Sequence, residues 1–481
     1  MILGQIIIKM NKNIKTILVN PPFSVEEIVG ETKSMKDVMN IIPPLGITYI
    51  AAVLEKEGYY VKIAEGNFMN HDQIKEYIKN EKPDIVGITT TTPTFESVTK
   101  VANNVKNIDK DIKVIIGGSH VTALPYDAIK EDCFDVGVIG EGEITFLELV
   151  KAFEKEKNLK KVKGIVYKEN GKIVLTKPRE FIKDLDTLPF PARHLLPPLK
   201  DYHPTPASYR KLPLGVLITS RGCPYQCTFC DRAIFGTSYR FRSAKNVVDE
   251  IEELINKYGA REIKFFDDTF TLDKKRLYEI LELMKERGIK IGWCCLTKVT
   301  NVTKEMLQRM KDAGCWQVLY GLESGDNRML QLLKKGSTVE QNEQAVKWAH
   351  EVGLSVRADF IMGTPGDTLE SMKKTLNFAI RMNMDFAHFN KFTPYPGTEL
   401  YKMLINKGYK FDFSRSCSQL DHSIIMYVPD GIDKEEYKKF IDNAYKKYYL
   451  RPKYLTKQFM NIRSFEDIKR YWAGFKAVVG M

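Results

Sequence analysis

The chain has 481 residues, 43% hydrophobic and 28% charged, enough to bury more than one core and too long for one ordinary domain. Aromatic residues at 11% and the lack of Ser, Gln or Pro tracts exclude extended disorder, no apolar stretch approaches the roughly 20 residues that span a bilayer, and eight cysteines are too few for a disulfide framework. The net charge of +12 suits an anionic cofactor or substrate, nucleic acid or a headgroup surface, and equally a solvated lysine-rich surface.

The opening run from Met1 to Ile8 lacks a signal-peptide cleavage pattern, so the sequence reads as cytoplasmic. Met10 begins a more natural opening, and the nine residues before it read as an upstream-start extension. Short β-branched runs at 16–20, 60–64, 85–89, 113–116 and 136–139 then alternate with amphipathic segments. That pattern predicts an α/β fold, with a doubly wound, Rossmann-like domain over 10–145. The runs end in Asn20-Pro21-Pro22, Glu65-Gly66-Asn67, Thr89-Thr90-Thr91-Thr92, Gly117-Gly118-Ser119-His120 and Gly140-Glu141-Gly142-Glu143. In an open α/β sheet such loops form one ligand-binding rim.

Residues 146–206 read as a linker holding the rest of a helix, a hairpin at 164–174 turning at Asn170-Gly171, and a Pro-rich run at 185–198. A second alternating region offers strands at 215–219, 262–266, 289–295, 316–320, 355–361 and 385–392, with helices such as 244–258 and 273–287 between them. It predicts a partial, TIM-like (β/α)6 barrel over 207–404 with its functional loops at the strand ends. A basic, aromatic, helical cap follows over 405–481. Its helices are expected to pack their aromatics on the barrel with lysines outward; the alternative is a substrate-side or membrane-surface helix suited to a lipid-like molecule.

Directly after the first barrel strand comes Arg221-Gly222-Cys223-Pro224-Tyr225-Gln226-Cys227-Thr228-Phe229-Cys230. Three cysteines at fixed offsets arise by chance on the order of 10⁻³ times per chain at this cysteine frequency. Buried apolar thiols and zinc are the bland readings, but structural zinc takes four closed ligands and no nearby Cys or His completes the set. Three thiolates can instead hold a [4Fe–4S] cluster as a metal site and leave one iron without a protein ligand. Cys133, Cys294, Cys295, Cys315 and Cys417 make no second cluster motif.

This loop, with the barrel pattern from 214 to about 404, resembles the radical S-adenosylmethionine enzymes. The resemblance implies that Cys223, Cys227 and Cys230 bind the cluster and that S-adenosylmethionine chelates the open iron. An electron from a donor such as ferredoxin or flavodoxin then releases a 5′-deoxyadenosyl radical. By the same resemblance Phe229 lies against the adenine, and Asp267 or Asp268 faces the methionyl amine, only one of the two pointing inward. Lys298 meets the carboxylate, where related sequences carry Arg, and Glu323 with Ser324 takes the ribose. Gly363 and Gly366 let the fifth loop approach closely.

The N-terminal domain resembles the cobalamin-binding domain of the B12-dependent branch. The resemblance rests on Gly117-Gly118-x-His120, on Gly140-Glu141-Gly142-Glu143 and on Pro43-Pro44-Leu45-Gly46, with Asn20, Pro21, Thr89 and Thr90 on the same rim. A flavodoxin-like domain binding a nucleotide or nothing is the alternative. Domains that ligate cobalt from below use Asp-x-His-x-x-Gly; taking Gly46 as its last residue puts Pro43 in the place of the His. A corrinoid without a His lower ligand is therefore expected, with His120 bonding the nucleotide tail rather than cobalt. Tyr449-Leu450-Arg451-Pro452 resembles the matching helix of the anaerobic magnesium-protoporphyrin cyclase and hopanoid-methylase type.

The resemblance implies methyl transfer to an unactivated carbon of a small or lipid-like substrate. Its rivals are oxidative cyclisation or ring rearrangement, and a non-catalytic cobalamin or redox sensor. The methylthio-transferring tRNA enzymes share the barrel but need an N-terminal cysteine triad and a C-terminal β-barrel, neither visible here, so no nucleic-acid partner is expected.

Overall fold

The computed structural model describes residues 14–23, 39–413, 424–460, 462 and 464–480. Met1 to Ile8, Met10 and Cys417 lie outside the described residues. Strands β1 (Lys15–Asn20), β2 (Tyr60–Glu65), β3 (Ile85–Thr89), β4 (Lys113–Gly117) and β5 (Val136–Val138) pair in parallel in the order 2-1-3-4-5. The order reverses between β1 and β3, which opens a crevice beyond their carboxyl ends. Helix α1 (Leu45–Lys56) and helix α2 (Gly142–Glu154) cover one face, where Ile47, Leu54, Phe146 and Leu149 join the core.

The hairpin expected within a linker belongs to this sheet. Strand β6 (Ile165–Glu169) pairs antiparallel with β5, and β7 (Lys172–Leu175) with β6, making seven strands. The reason is burial on both faces: Ile165 and Tyr167 enter the core under α1 and α2, while Val166 enters the one on the opposite face. The hairpin also covers the β5 edge, whose unpaired N–H and C=O groups would otherwise face water.

The second sheet has six parallel strands: β8 (Leu214–Leu217), β11 (Glu262–Phe265), β12 (Gly292–Thr297), β13 (Cys315–Glu323), β14 (Ser355–Met362) and β15 (Phe386–Lys391). Between β8 and β11 a two-stranded ribbon, β9 (Ser220–Arg221) with β10 (Arg240–Phe241), brackets the cysteine loop. Strand β12 starts three residues later than the sequence pattern suggests, because Ile289 still closes the preceding helix by donating its amide to the Met284 carbonyl at 2.9 Å. Helices, among them α3 (Leu369–Met382), pack outside the strands.

A six-stranded barrel leaves β15 as an edge. Helices α4 (Lys434–Tyr449), α5 (Pro452–Met460) and α6 (Phe465–Val479) lie against it, and tyrosine hydroxyls pair its free backbone groups. Tyr449 accepts from the Ala387 amide and donates to the Ala387 carbonyl, both at 2.9 Å. Tyr445 accepts from the Phe389 amide at 3.1 Å, Tyr448 donates to Met384 O at 2.7 Å and Tyr454 to Asp385 O at 2.9 Å. The aromatic content of the cap thus substitutes for the missing neighbouring strand. Tyr449→Phe keeps the ring but strands two buried backbone groups. We expect a loss of about 1–3 kcal/mol, seen as a lower urea midpoint with an unchanged slope. No described helix is long and apolar enough to cross a membrane.

Candidate active site at the domain interface

The cysteine loop is built by close backbone approaches. Gly222 has φ +84°, and a Cβ there would strike the Ser238 carbonyl oxygen. The Cys223 amide donates to Gly236 O at 3.3 Å, and Arg232 donates to the Tyr225 carbonyl at 2.6 Å. Cys223, Cys227 and Cys230 are all free thiols. A hydrogen bond from Cys230 brings the Cys227 thiol down to about 6, with Lys335 and Lys298 assisting, and the same bond raises Cys230. Burial raises Cys223, and nearby Asp268 adds to that.

Two ammonium groups stand beside these sulfurs. Lys298 lies 3.5 Å from the centroid of the Tyr225 ring, and Lys335 lies 5.8 Å from that of Phe229. Burial lowers Lys298. Lys335 pairs with Glu323 at 2.8 Å; burial opposes its charge, but Glu323 and the Cys227 and Cys230 sulfurs hold it protonated. Glu323 ends β13 in a left-handed conformation, φ 60°, past a register shift against β14. Gly321 makes this possible, since a Cβ there would collide with Glu323 Oε1 and lie 2.9 Å from Lys335 Nζ. Lys335 carries no motif of its own and was not legible in the sequence.

Not every residue singled out for S-adenosylmethionine is available to it. Asp267 is fully buried and accepts from the Thr219 amide, the Thr219 hydroxyl and the Ser220 hydroxyl at 2.7, 2.5 and 2.5 Å. It braces β11 to the strand that leads into the cysteine loop, and Asp268 is the exposed one of the pair. Ser324 turns outward to Thr375 of α3 at 3.1 Å and accepts the Asp326 amide at 3.2 Å, so its hydroxyl is not offered to a ribose. Phe229 is half-buried against the cluster of Leu333, Phe392 and Leu400.

In the first domain a cavity of about 250 Å³ opens beyond the strand ends. Thr89, Thr90, Gly117, Gly118, Gly140, Glu141, Gly142 and Glu143 line it, as do Leu45, Ile47, Val138 and Phe146. Gly118, φ +123°, admits no Cβ, which would sit 2.5 Å from the Thr90 carbonyl oxygen. Three expected residues are not part of the lining. Asn20 donates to Glu65 at 2.6 Å beneath Tyr202, and Pro21 follows it beside Gly66. His120 packs on Phe95, with centroids 4.3 Å apart, and its Nδ1 meets Thr92 Oγ1 at 3.2 Å. Burial lowers its imidazole to about 4, so it sits neutral within the fold.

Glu141 and Glu143 line the cavity but face the second domain. Arg221, two residues before Cys223, bonds Glu141 at 2.9 Å and Glu143 at 2.5 Å, and Arg240 bonds Glu141 at 2.8 Å. Glu141 also accepts the Ile182 amide at 2.8 Å. All four charged side chains are buried, and Arg221 itself lines the cavity beside Phe235. One guanidinium therefore links the cavity wall to the cysteine loop.

The groups present fit what the sequence implied. Three free thiols, one biased toward thiolate, with two ammonium groups beside them, are a donor set for an anionic iron–sulfur cluster. They are not gathered round one point: among the described residues no three His, Cys, Asp or Glu could hold a single metal ion. The other cavity is apolar at its base and narrowed by glycines, which suits a flat nucleotide base and its phosphate linkage.

The model of the radical SAM superfamily matches residues 217–379, and that of the B12 binding domain matches residues 34–150. An uncharacterised methyltransferase of Pyrococcus horikoshii is 37% identical over 97% of this chain and 99% of its own. The anaerobic magnesium-protoporphyrin IX monomethyl ester cyclase of Rubrivivax gelatinosus is 30% identical over 87% of this chain and 75% of its own. Among solved structures, the radical S-adenosylmethionine methyltransferase TsrM from Kitasatospora setae, with cobalamin and a [4Fe–4S] cluster bound, superposes with a TM-score of 0.70. It shares 17% identity over 96% of this chain and 98% of that one. The two family models fall on the two sheets in order, and relatives align along nearly the full length: the chain belongs to the radical SAM superfamily, in the branch that carries a B12-binding domain.

Proposed function

We propose that this protein is a cobalamin-dependent radical enzyme that transfers a methyl group from S-adenosylmethionine to carbon on a small molecule. The observation that carries the reading is the adjacency of the two cofactor sites: Arg221 is at once cavity wall and neighbour of the cysteine loop. Cys223, Cys227 and Cys230 would hold the [4Fe–4S] cluster, and the glycine-narrowed cavity the nucleotide tail of cobalamin. Bound together, these cofactors supply one-electron cleavage of S-adenosylmethionine and a carrier for its methyl group, chemistry no side chain offers.

The chain's own residues orient and enclose. Lys335 and Lys298 offset the negative charge of the thiolates, and Lys335 fixes the Glu323 carboxylate where it can accept from vicinal hydroxyls. Asp268, exposed beside Cys223, is the carboxylate left for a cationic amine. The electron comes from a small electron-carrier protein.

Oxidative cyclisation is the second reading, favoured by the similarity to the Rubrivivax gelatinosus cyclase. Anaerobic turnover with methyl-deuterated S-adenosylmethionine in a metabolite extract separates the two. Methyl transfer yields a product heavier by the labelled methyl; turnover that releases only unlabelled product contradicts it and supports cyclisation.

A further inference from the structure

A second cavity, of about 430 Å³, lies far from the cysteine motif in sequence, between strand β15 and helices α4–α6. Its walls are aromatic: Phe386, Tyr445, Tyr449, Tyr454, Trp472 and Phe475. The hydroxyls of the three tyrosines are engaged by the β15 backbone, so the rings present hydrocarbon to the cavity. Arg470 on its wall is likewise occupied, donating to Pro206 O and pairing with Asp467, each at 2.9 Å.

The inner end is polar and built from the barrel's interior. His388 and Asn390, alternate residues of β15, reach the cavity there. Arg357 of β14 approaches His388 Nδ1 at 3.0 Å, and Asp359 Oδ1 of the same strand approaches that nitrogen at 3.3 Å, so the ring is held against a cation and a carboxylate. Burial and Arg357 lower this histidine to about 4, so near neutral pH it is a neutral single donor. Arg357 is itself held by Ser208, which also receives Lys264. At the opposite end the mouth is apolar and open to solvent: Phe459 is 76% and Trp472 59% exposed, and Trp472 stacks on Phe475 at 5.7 Å.

A half-open aromatic chamber with the polar side chains of His388 and Asn390 on its wall and an apolar mouth has the anatomy of a small-molecule site, and its volume falls in the roughly 300–1,000 Å³ range of such sites. A featureless apolar surface would lack this polar wall. We propose that this chamber binds a mainly apolar, aromatic or polycyclic small molecule whose hydrogen-bonding group meets His388 and Asn390. The site goes beyond the methyl-transfer reading and needs no cofactor, so the two stand or fall separately.

The test uses the full chain without iron or cobalamin and the neutral fluorophore 6-propionyl-2-(dimethylamino)naphthalene, a naphthalene bearing a ketone. The expected result is saturable, blue-shifted emission at one equivalent per chain. Gly474→Trp fills the chamber, since Gly474 lines it and an added Cβ there meets nothing within 4 Å; it should weaken binding at least tenfold. Trp472→Phe, an exposed change that leaves the fold alone, should at least halve tryptophan-to-probe energy transfer, and so decides the matter even where Gly474→Trp misfolds. 2-(Dimethylamino)naphthalene, which lacks the ketone, should bind about fivefold more weakly. Failure of the wild-type chain to bind saturably, unchanged affinity in folded Gly474→Trp, or unchanged transfer in Trp472→Phe overturns the site. Equal affinity for the two naphthalenes overturns the role of the polar wall formed by His388 and Asn390.

Discussion

Cys227→Ala yields a folded chain that, after anaerobic reconstitution, holds less than one iron instead of about four and lacks the broad absorbance near 400 nm of a cluster. It releases no 5′-deoxyadenosine. Cys227 is the middle thiol of the three and is buried, with the charges of Lys335 and Lys298 favouring its thiolate. Two remaining thiols on a loop closed by Gly222 cannot hold the cube. The deletion costs little stability, because the loop is held by backbone bonds such as Cys223 N to Gly236 O rather than by the sulfur. Cys294 is the control: it is buried in β12, its thiol is raised to about 12 by burial, and Cys294→Ala should keep its iron. Iron content and absorbance of the two variants, measured side by side, decide the point.

Arg221→Met should destabilise the protein by about 3–5 kcal/mol, the cost of leaving buried carboxylates without their partner. Glu141 retains Arg240 and the Ile182 amide, but among the described residues Arg221 is the only cation paired with Glu143, which is buried. Adding Glu143→Gln to Arg221→Met removes the uncompensated charge and should recover part of the loss, a coupling that a double-mutant cycle in urea reads directly. Additive effects of the two changes would mean that the pair does not bind the domains together. Glu141 caps helix α2 after β5 and Glu143 lies in its first turn, while Arg221 leads into the cysteines, so the same variant should loosen the cavity and the cysteine loop together.

The sequence carried the architecture well because periodicity reports local burial. The β-branched runs and the amphipathic spacing between them located both parallel sheets, and the C-x3-C-x2-C spacing marked the loop that carries three thiols. What it could not carry was pairing. A carboxylate at a strand end reads the same whether free or engaged, so Asp267, Glu141 and Glu143 looked like ligand contacts, although their partners lie 41 to 99 residues away. His120 looked like a tail ligand until Phe95 and Thr92 were placed around it. Lys335 was invisible because a Lys-Lys-Gly run after a helix is ordinary surface chemistry unless the helix turns it inward onto Glu323. The tyrosines of the cap were readable as aromatic but not as substitutes for a seventh strand, since that role depends on β15 being an edge.

The proposed chemistry requires an iron cube anchored by three sulfurs, with its fourth iron open to S-adenosylmethionine. Mössbauer spectroscopy of ⁵⁷Fe-reconstituted protein, recorded before and after adding S-adenosylmethionine, tests this most directly. The expected result is that one iron in four changes its isomer shift and quadrupole splitting while three stay as they were. Four irons that all remain unchanged would contradict it.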